Sequence, residues 1–332
     1  MQPDNSHKVE LTDSLDGVKS FHQRKIRPFL EETPTTEMIL KHRPQKSKAP
    51  RSSKNQLRQL AGDIYEHGHL DKEIGAERLC PRRGADTKLL MVVTSAPGNA
   101  QARLTIRQTW GSYANRRDIG MAFILGRREN ASIGQALSRE NFLYGDLIRG
   151  NSIDSVNNLT LKTISLLEWV DLHCQKAKYV LKTDDDMFIN VPRMLAFLET
   201  RQNQRRVIYG ILAEGFKPIR NRFQKYYVPR HQFAENMCPP FTIGSGYVIS
   251  GDIIHELFQR SLATFYLQLE DVFTTGLVAS SLGVQRVRAK GFINKRHDYN
   301  ACNVRNAITL HKIKPHEQFD LWQKLLNTDI KC

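Results

Sequence analysis

The sequence predicts an α/β fold in which a mostly parallel sheet is flanked by helices. Continuous apolar runs recur through residues 86–210, and segments in which apolar residues follow helical spacing separate them. Continuous apolar runs are typical of strands buried on both faces, and strands that alternate with helices are typical of parallel sheets. With 332 residues, 40% hydrophobic and 25% charged, the chain can hold one large domain or two small ones.

The individual elements are predicted in chain order from these patterns. Apolar runs predict strands over residues 89–93, 121–126, 146–148, 179–181 and 207–210. Helices are predicted over residues 102–110, 132–143, 159–174 and 191–200. In the third helix the apolar residues recur at intervals of three or four, as on one helical face. A further strand is predicted after Gly244-Ser245-Gly246, and a further helix near residues 269–273.

Three consecutive carboxylates, Asp184, Asp185 and Asp186, follow the predicted strand 179–181. Carboxylates this close repel one another unless a positive charge lies among them, and oxygen ligands suit Mg²⁺ or Mn²⁺. A solvated acidic turn is the alternative interpretation, but the apolar residues 187–189 tether the triplet on its other side. Because ligands bind beyond the carboxyl ends of parallel strands, we expect a nucleotide ligand here.

Three features of the second half are candidates for a binding or catalytic site. The glycines Gly244 and Gly246 allow the backbone to approach a ligand closely, although an ordinary turn explains them equally well. Glu270 and Asp271 begin an otherwise apolar helix, where they either complement the helix dipole or supply a carboxylate base. His311 lies in an apolar setting and is either a core residue or a ligand.

The chain is strongly basic, with a net charge of +15. Such a balance favours polyanionic partners, namely nucleic acid, an anionic membrane surface or phosphorylated small molecules. No zinc-finger spacing, RNA-binding aromatic signature or basic heptad pattern occurs, so nucleic acid is not the predicted partner. The richest basic stretch, residues 201–230, is either a solvated face or a surface that faces a diphosphate.

The five cysteines are widely spaced, without a Cys-x-x-Cys pair, which argues against a zinc site. Their odd number leaves at least one thiol unpaired or bonded to another chain. Sequons for N-glycosylation begin at Asn130 and Asn158, and together with the cysteines they are compatible with a secretory compartment. Asn157 or Asn158 can also cap the following helix, a structural use that competes with glycosylation.

Residues 1–85 are polar and charged and include the basic stretch 41–48. We expect them to form a disordered basic stem or linker, followed by one catalytic domain over residues 86–332. The stem contains no apolar run long enough to span a membrane and no signal-peptide core, so it is predicted to lack a membrane anchor.

Six segments of the chain form a recognisable series. They are Arg107-Gln108-Thr109-Trp110-Gly111, Asn158 to Thr163, Ala177 to Asp186, Lys225 to Pro229, Pro239-Pro240-Phe241 with Gly244 to Tyr247, and Glu270-Asp271-Val272. In this order they resemble the Golgi β-1,3-galactosyltransferases and their β-1,3-N-acetylglucosaminyltransferase relatives. The resemblance runs from about Cys80 to the end of the chain, and six motifs in family order are specific.

The resemblance implies a GT-A type fold and inverting transfer of a hexose from a UDP-sugar, most simply galactose from UDP-galactose. The product is a β-1,3 linkage to an acceptor glycan on a glycoprotein or glycolipid, made in the Golgi lumen. The same resemblance leaves two alternatives: UDP-N-acetylglucosamine as the donor, or a non-catalytic member that binds a sugar or nucleotide. Membrane association is expected for the family.

The resemblance also assigns roles to individual residues. Asp271 matches the catalytic base, with Glu270 as its less favoured neighbour. The metal, Mn²⁺ or Mg²⁺, falls to Asp184, Asp186 and His311. Residues implied at the nucleotide pocket are Arg103, Arg107, Trp110, Asp184, Asp185, Gly244 and Gly246.

The sequence departs from the family at two cysteine positions. The family commonly has one cysteine after Pro-Pro-Phe and another after Glu-Asp-Val, where this chain has Thr242 and Leu277-Val278. Because both are missing, we expect that a family disulfide is absent, which leaves the pairing of Cys238 open.

Overall fold

The computed structural model describes residues 58–70, 75–296, 299–327 and 329–332. The predictions for residues 1–57, including the basic stretch 41–48 and the absence of an anchor there, lie outside the described residues. In the described ranges, no helix combines the length and apolar character needed to cross a membrane.

The predicted strands and helices occur within a few residues of their expected positions. The strands are β1 Leu89–Thr94, β2 Ile119–Arg127, β3 Leu147–Ile153, β4 Tyr179–Asp184, β5 Met187–Ile189, β6 Val207–Ala213, β7 Phe241–Ser250, β8 Gln285–Arg288, β9 Phe292–Ile293 and β10 Thr309–His311. The helices are α1 Ala61–Ile64, α2 Ala76–Leu79, α3 Ala100–Gln108, α4 Ala131–Tyr144, α5 Leu159–His173, α6 Val191–Glu199, α7 Ile254–Leu262, α8 Ala279–Ser281, α9 Ala301–Asn306 and α10 Pro315–Leu326. A π-helical segment, Val272–Val278, follows Asp271.

The main sheet has seven strands in the order β3-β2-β1-β4-β7-β6-β8. Its neighbours pair in parallel, except that β7 runs antiparallel to both β4 and β6. The prediction of a mostly parallel sheet is therefore confirmed. A second sheet, β5-β10-β9, pairs β10 antiparallel to β5 and sets His311 opposite Met187.

The hydrophobic core lies on both faces of the main sheet, because successive strand side chains point to opposite sides. On β1, Leu90 and Val92 join the cluster that includes residues of α5 and α7. Leu89, Met91 and Val93 join the cluster that includes residues of α3, α6 and α10. The continuous apolar run of β1 is thus explained by burial on both sides.

The segment before residue 86 packs against this core, although the predicted boundary assigns it to the stem. Ala61, Tyr65 and Cys80 are buried. The Tyr65 hydroxyl donates to the buried carboxylate of Glu168 on α5, and the Gly68 N–H donates to the same carboxylate at 2.8 Å. The packed part of the chain therefore begins at least as early as the described residues 58–70.

The cysteines form two disulfides, Cys80–Cys174 and Cys302–Cys332, and Cys238 is a buried free thiol. The expectation of at least one unpaired thiol is thereby met. Asn158 occupies the N-cap position of α5, but its side chain donates to the Ile153 carbonyl at 2.9 Å and does not cap the helix.

Gly251, directly after β7, packs closely against residues 177–178, and substituting it tests this packing. A Cβ at Gly251 would lie 1.8 Å from the Ala177 carbonyl oxygen, so Gly251→Ala requires the backbone to move. We expect its free energy of unfolding in a denaturant titration to fall by about 2–3 kcal/mol. The matched control is Gly134→Ala in α4, where nothing lies within 4 Å of the new methyl group. That control should stabilise the protein by about 0.5–1 kcal/mol, and equal effects would contradict the packing described here.

Candidate active site

A buried lysine at the end of β4 organises the candidate site. The Lys182 ammonium lies 2.8 Å from Asp184 Oδ1, 2.6 Å from the Gly244 carbonyl oxygen and 3.6 Å from Glu270 Oε2. Burial disfavours the charged ammonium, but Asp184 and Glu270 together raise the pKa of Lys182 above its usual value. Lys182 therefore remains a cation that joins strands β4 and β7 to the segment carrying Glu270.

Asp271 is held in a defined orientation by backbone N–H groups. Its Oδ2 accepts from the Gly244 N–H at 3.1 Å and its Oδ1 accepts from the Val272 N–H at 2.9 Å. Burial, followed by the charge of Glu270, raises the pKa of Asp271 to about 6, although the two N–H groups and Lys182 lower it. A carboxylate with such a pKa is suited to accept a proton near neutral pH.

Glu270 is buried beside Asp271 and is hydrogen-bonded to Tyr247. Its Oε1 accepts from the Tyr247 hydroxyl at 2.5 Å, and burial together with Glu270 raises the pKa of Tyr247. Gly244 leaves little space for a side chain, because a Cβ there would lie 3.0 Å from Glu270 Oε2 and 3.3 Å from Asp271 Cβ. Its lack of a side chain lets β7 reach both carboxylates.

Asp186 and His311 meet at the junction of β4 with the small sheet. His311 Nε2 lies 3.4 Å from Asp186 Oδ2, and the other ring nitrogen, Nδ1, lies 2.5 Å from Asn294 Oδ1. The second oxygen of Asp186, Oδ1, is buried and has no hydrogen-bond partner among the described residues. In the described part of the chain, no three His, Cys, Asp or Glu side chains converge closely enough to form a metal site.

A cavity of about 570 Å³ brings these groups together. Six of the predicted site residues line it: Asp184, Asp186, Gly244, Glu270, Asp271 and His311. Such a volume falls in the range of small-molecule sites, and acidic groups converge on one part of its wall. The arrangement can bind a cationic or metal-bound ligand and can accept a proton from it.

The remaining predicted site residues do not line the cavity. Asp185 accepts from Ser95 Oγ at 2.7 Å and from Asn99 Nδ2 at 2.9 Å, which ties β4 to the loop after β1. Trp110 is buried, and its Nε1 donates to the Met187 carbonyl at 3.2 Å. Gly246 lies against Thr183 of β4.

Arg103 and Arg107 are satisfied inside the protein. Arg103 is fully buried and donates to both oxygens of Glu140 at 2.8 and 2.6 Å, and to the Ala96 carbonyl at 2.7 Å. Arg107 donates to both oxygens of Asp146 at 2.8 Å and lies over the Tyr144 ring. Their guanidinium groups are thus directed at internal carboxylates.

The sequence interpretation omitted Lys182 and Tyr247 from the site. A usable signal was present for Lys182, a charged residue that ends an apolar run two positions before Asp184. Residues two apart on a strand share a face, so Lys182 and Asp184 were bound to point the same way. Tyr247 carried no comparable signal, because its role depends on the antiparallel register in which Tyr247 pairs with Lys182.

The internal role of Arg107 can be tested against Arg116, because each donates two hydrogen bonds to one aspartate. Arg107→Lys keeps the charge but loses the paired contact and the stacking, so we expect the free energy of unfolding to fall by about 1–3 kcal/mol. The control is Arg116→Lys, in which an exposed arginine holds Asp118 in the same way at 2.9 Å. That change should stay within about 0.5 kcal/mol. Unchanged stability of Arg107→Lys with weakened UDP binding would instead place Arg107 at the nucleotide.

Comparison with known proteins identifies the family to which the chain belongs. The sequence model of the family described as Galactosyltransferase matches residues 101–290. Beta-1,3-galactosyltransferase 1 of Homo sapiens is 35% identical over 241 residues, 71% of this chain and 73% of that protein. Beta-1,3-galactosyltransferase 5 of Homo sapiens is 34% identical over 245 residues, 72% of this chain and 79% of that protein.

A solved structure is also similar, the crystal structure of a glycosyltransferase involved in the glycosylation of the major capsid of PBCV-1. It covers 71% of this chain and 100% of its own chain with 8% identity and a TM-score of 0.40, a likeness too low to support an argument. The family match and the two human relatives carry the assignment. The chain belongs to the galactosyltransferase family.

Proposed function

We propose that this protein is a metal-dependent β-1,3-galactosyltransferase. It transfers galactose from UDP-galactose, with inversion, to the 3-hydroxyl of an acceptor glycan on a glycoprotein or glycolipid. The observation that carries this proposal is the convergence of Asp184, Asp186 and Asp271 on one cavity in a chain that belongs to the galactosyltransferase family. The transferred galactose and the linkage are supported by the names of the relatives, which are β-1,3-galactosyltransferases.

Asp271 is the catalytic base in this mechanism. Inversion requires a single in-line displacement, in which the acceptor oxygen bonds to C1 of galactose as the bond from C1 to UDP breaks. The hydroxyl proton passes to the Asp271 carboxylate, and UDP leaves with the bonding electrons. The N–H groups of Gly244 and Val272 keep the carboxylate oriented, while Glu270 is committed to Tyr247 and Lys182.

Asp186 and His311 would hold the divalent cation, Mn²⁺ or Mg²⁺, and Asp184, which lines the same cavity but does not converge with them on one point among the described residues, would be its third ligand only after a local shift. The unpartnered Asp186 Oδ1 and the nearby ring nitrogen of His311 fit this role, because a buried carboxylate oxygen without a donor is costly unless something positive approaches it. When bound, such a cation neutralises negative charge that develops on the departing diphosphate. Burial raises the pKa of Asp184, and the neighbouring Lys182 ammonium at 2.8 Å opposes that shift.

Arg103, Arg107, Trp110, Asp185 and Gly246 act, in this proposal, by shaping the nucleotide side of the site. Arg103 holds the Ala96 carbonyl, and Asp185 holds Ser95 and Asn99, so the loop after β1 is fixed at the carboxyl edge of the sheet. That edge is where α/β sheets bind nucleotides.

We place the enzyme in the Golgi lumen, associated with the membrane as is usual for the family. The two disulfides support an oxidising compartment, since such bonds persist in secretory rather than cytosolic proteins.

The proposal is tested by measuring UDP release by the full chain made in an oxidising host. UDP-galactose and UDP-N-acetylglucosamine are compared with and without Mn²⁺ on a panel of β-linked acceptors. We expect Mn²⁺-dependent release from UDP-galactose, a loss of about 10²–10⁴-fold in Asp271→Asn with UDP affinity retained, and loss of Mn²⁺-dependent UDP binding in Asp186→Ala. Release only from UDP-N-acetylglucosamine would establish the alternative donor. UDP binding without turnover on any acceptor would indicate a non-catalytic member.

The raised pKa of Asp271 predicts how activity depends on pH. The base works as a carboxylate, and burial and Glu270 raise its pKa to about 6, so the protonated form predominates below that pH. We expect kcat/KM to fall below that pH by about tenfold for each pH unit. Glu270→Gln removes a neighbouring negative charge and should move this acidic limb to lower pH. A profile that is flat between pH 5 and 8, or a limb that moves upward in the variant, would contradict the assignment.

A further inference from the structure

The loop between β6 and β7, residues 214–240, forms part of the cavity wall. None of its residues has a role in the mechanism proposed above. Two aromatic–lysine pairs of this loop, Phe216-Lys217 and Lys225-Tyr226, line the cavity. Phe216 is 53% exposed and Tyr226 is 51% exposed. Half-exposed aromatic rings in the wall of a cavity offer flat apolar surfaces on which a ligand can pack.

The fold of the loop sets the two pairs on one side of a local bridge. Ile219 pairs with Tyr227 in a parallel β-bridge, and the Val228 N–H donates to the Ile219 carbonyl at 2.8 Å. Lys217 and Lys225 each precede their bridge residue by two positions. Both lysines also line the cavity, so the loop contributes two positive charges to it.

The aromatic–lysine pairs adjoin the segment that carries the catalytic base. The Phe216 ring packs edge-on against Phe241, with 5.7 Å between the ring centroids, at the start of the strand that contains Gly244. Gln268, three residues before Asp271, donates from its side chain to the Tyr227 carbonyl. The pairs therefore lie beside the base, where an acceptor sugar must place its hydroxyl.

The two lysines are available for a ligand. Residues 214–240 contain five Lys or Arg and two Glu, yet neither Lys217 nor Lys225 forms an ion pair with a carboxylate of the described residues. Arg220, in contrast, is used by the loop itself and donates to the carbonyls of Val228 at 2.9 Å and Glu235 at 2.7 Å. The loop is thus built around Arg220, whereas both lysines line the cavity and neither is paired with a carboxylate of the described residues. The Lys225 ammonium lies over the neighbouring Tyr226 ring, 5.2 Å from its centroid.

We propose that the acceptor glycan of this enzyme carries a carboxylate or sulfate group, which Lys217 and Lys225 bind while Phe216 and Tyr226 pack against the sugar ring. Ammonium groups beside aromatic rings match an anionic sugar, whose C–H face is apolar and whose substituent is charged. This inference deepens the proposed function and rests on it for the identity of the cavity as an acceptor site.

The diphosphate of the donor is the competing partner for these lysines. Asp184 and Asp186, which would hold the cation for a diphosphate, lie at and just beyond the end of β4, whereas the lysines belong to the loop packed on Phe241 and Gln268. The two assignments differ in which substrate binds more weakly when the lysines are removed, so one experiment separates them.

The test is calorimetric binding of three disaccharides to the full chain in the presence of UDP and Mn²⁺. The disaccharides are a neutral β-linked disaccharide, its 6-O-sulfated form and the corresponding uronate. We expect at least one anionic form to bind roughly fivefold or more tightly than the neutral one, the size of one favourable ion pair. The sulfated and uronate arms show which group is recognised. Raising the NaCl concentration from 0.05 to 0.5 M should weaken only the anionic ligand, through screening.

Three double variants complete the test. Lys217→Ala with Lys225→Ala should abolish the preference and leave neutral binding within about twofold, whereas Lys217→Arg with Lys225→Arg should keep the preference. The matched control, Arg222→Ala with Arg230→Ala, removes the same charge from the same loop at positions outside the cavity wall, and it should keep the preference. Equal binding of all three disaccharides would overturn the inference. So would a lysine variant that weakens the binding of UDP instead of the binding of the anionic disaccharide. Failure of the proposed function is distinguishable, because it appears as absent transfer rather than as absent discrimination in binding.

Discussion

The candidate site depends on one buried cation. Four carboxylates line the same cavity, and their mutual repulsion would oppose the fold unless a positive charge lay among them. Lys182 provides that charge, because its ammonium lies beside Asp184 and Glu270 and donates to the Gly244 carbonyl as well. A buried charge that lost these partners would be costly, so the arrangement of both acidic segments follows from the position of this one side chain.

The reversed strand β7 is the second element on which the site depends. Its antiparallel register with β4 pairs Tyr247 with Lys182 and Gly246 with Thr183. Consequently the Tyr247 hydroxyl reaches Glu270, and the Gly244 N–H reaches Asp271. A parallel strand at this position would enter from the opposite end of the sheet and would not bring these glycines to the carboxyl edge of β4.

Much of the site could be predicted from the sequence, because local pattern and strand polarity determine it. Asp184 and Asp186 had to emerge at the carboxyl edge of the sheet, since they follow a continuous apolar run. The packing of residues 58–70 could not be predicted in this way. Its anchors are single contacts, such as Tyr65 with Glu168, which leave no periodicity in the chain. The inward direction of Arg107 was hidden for a related reason, since its partner Asp146 lies on another element.

The charged side chains that line the cavity determine in which orientation an acceptor can approach Asp271. A neutral sugar meets the acidic part of the cavity without penalty, but an anionic one is repelled by Glu270 and Asp271 as soon as it enters the low-dielectric interior. The lysines of the β6–β7 loop offset this repulsion only for a substituent held at their own position. An anionic acceptor is therefore tolerated in one orientation, and that orientation directs the rest of the sugar toward the base. In this arrangement, the lysines would determine the orientation of the bound acceptor as well as its affinity.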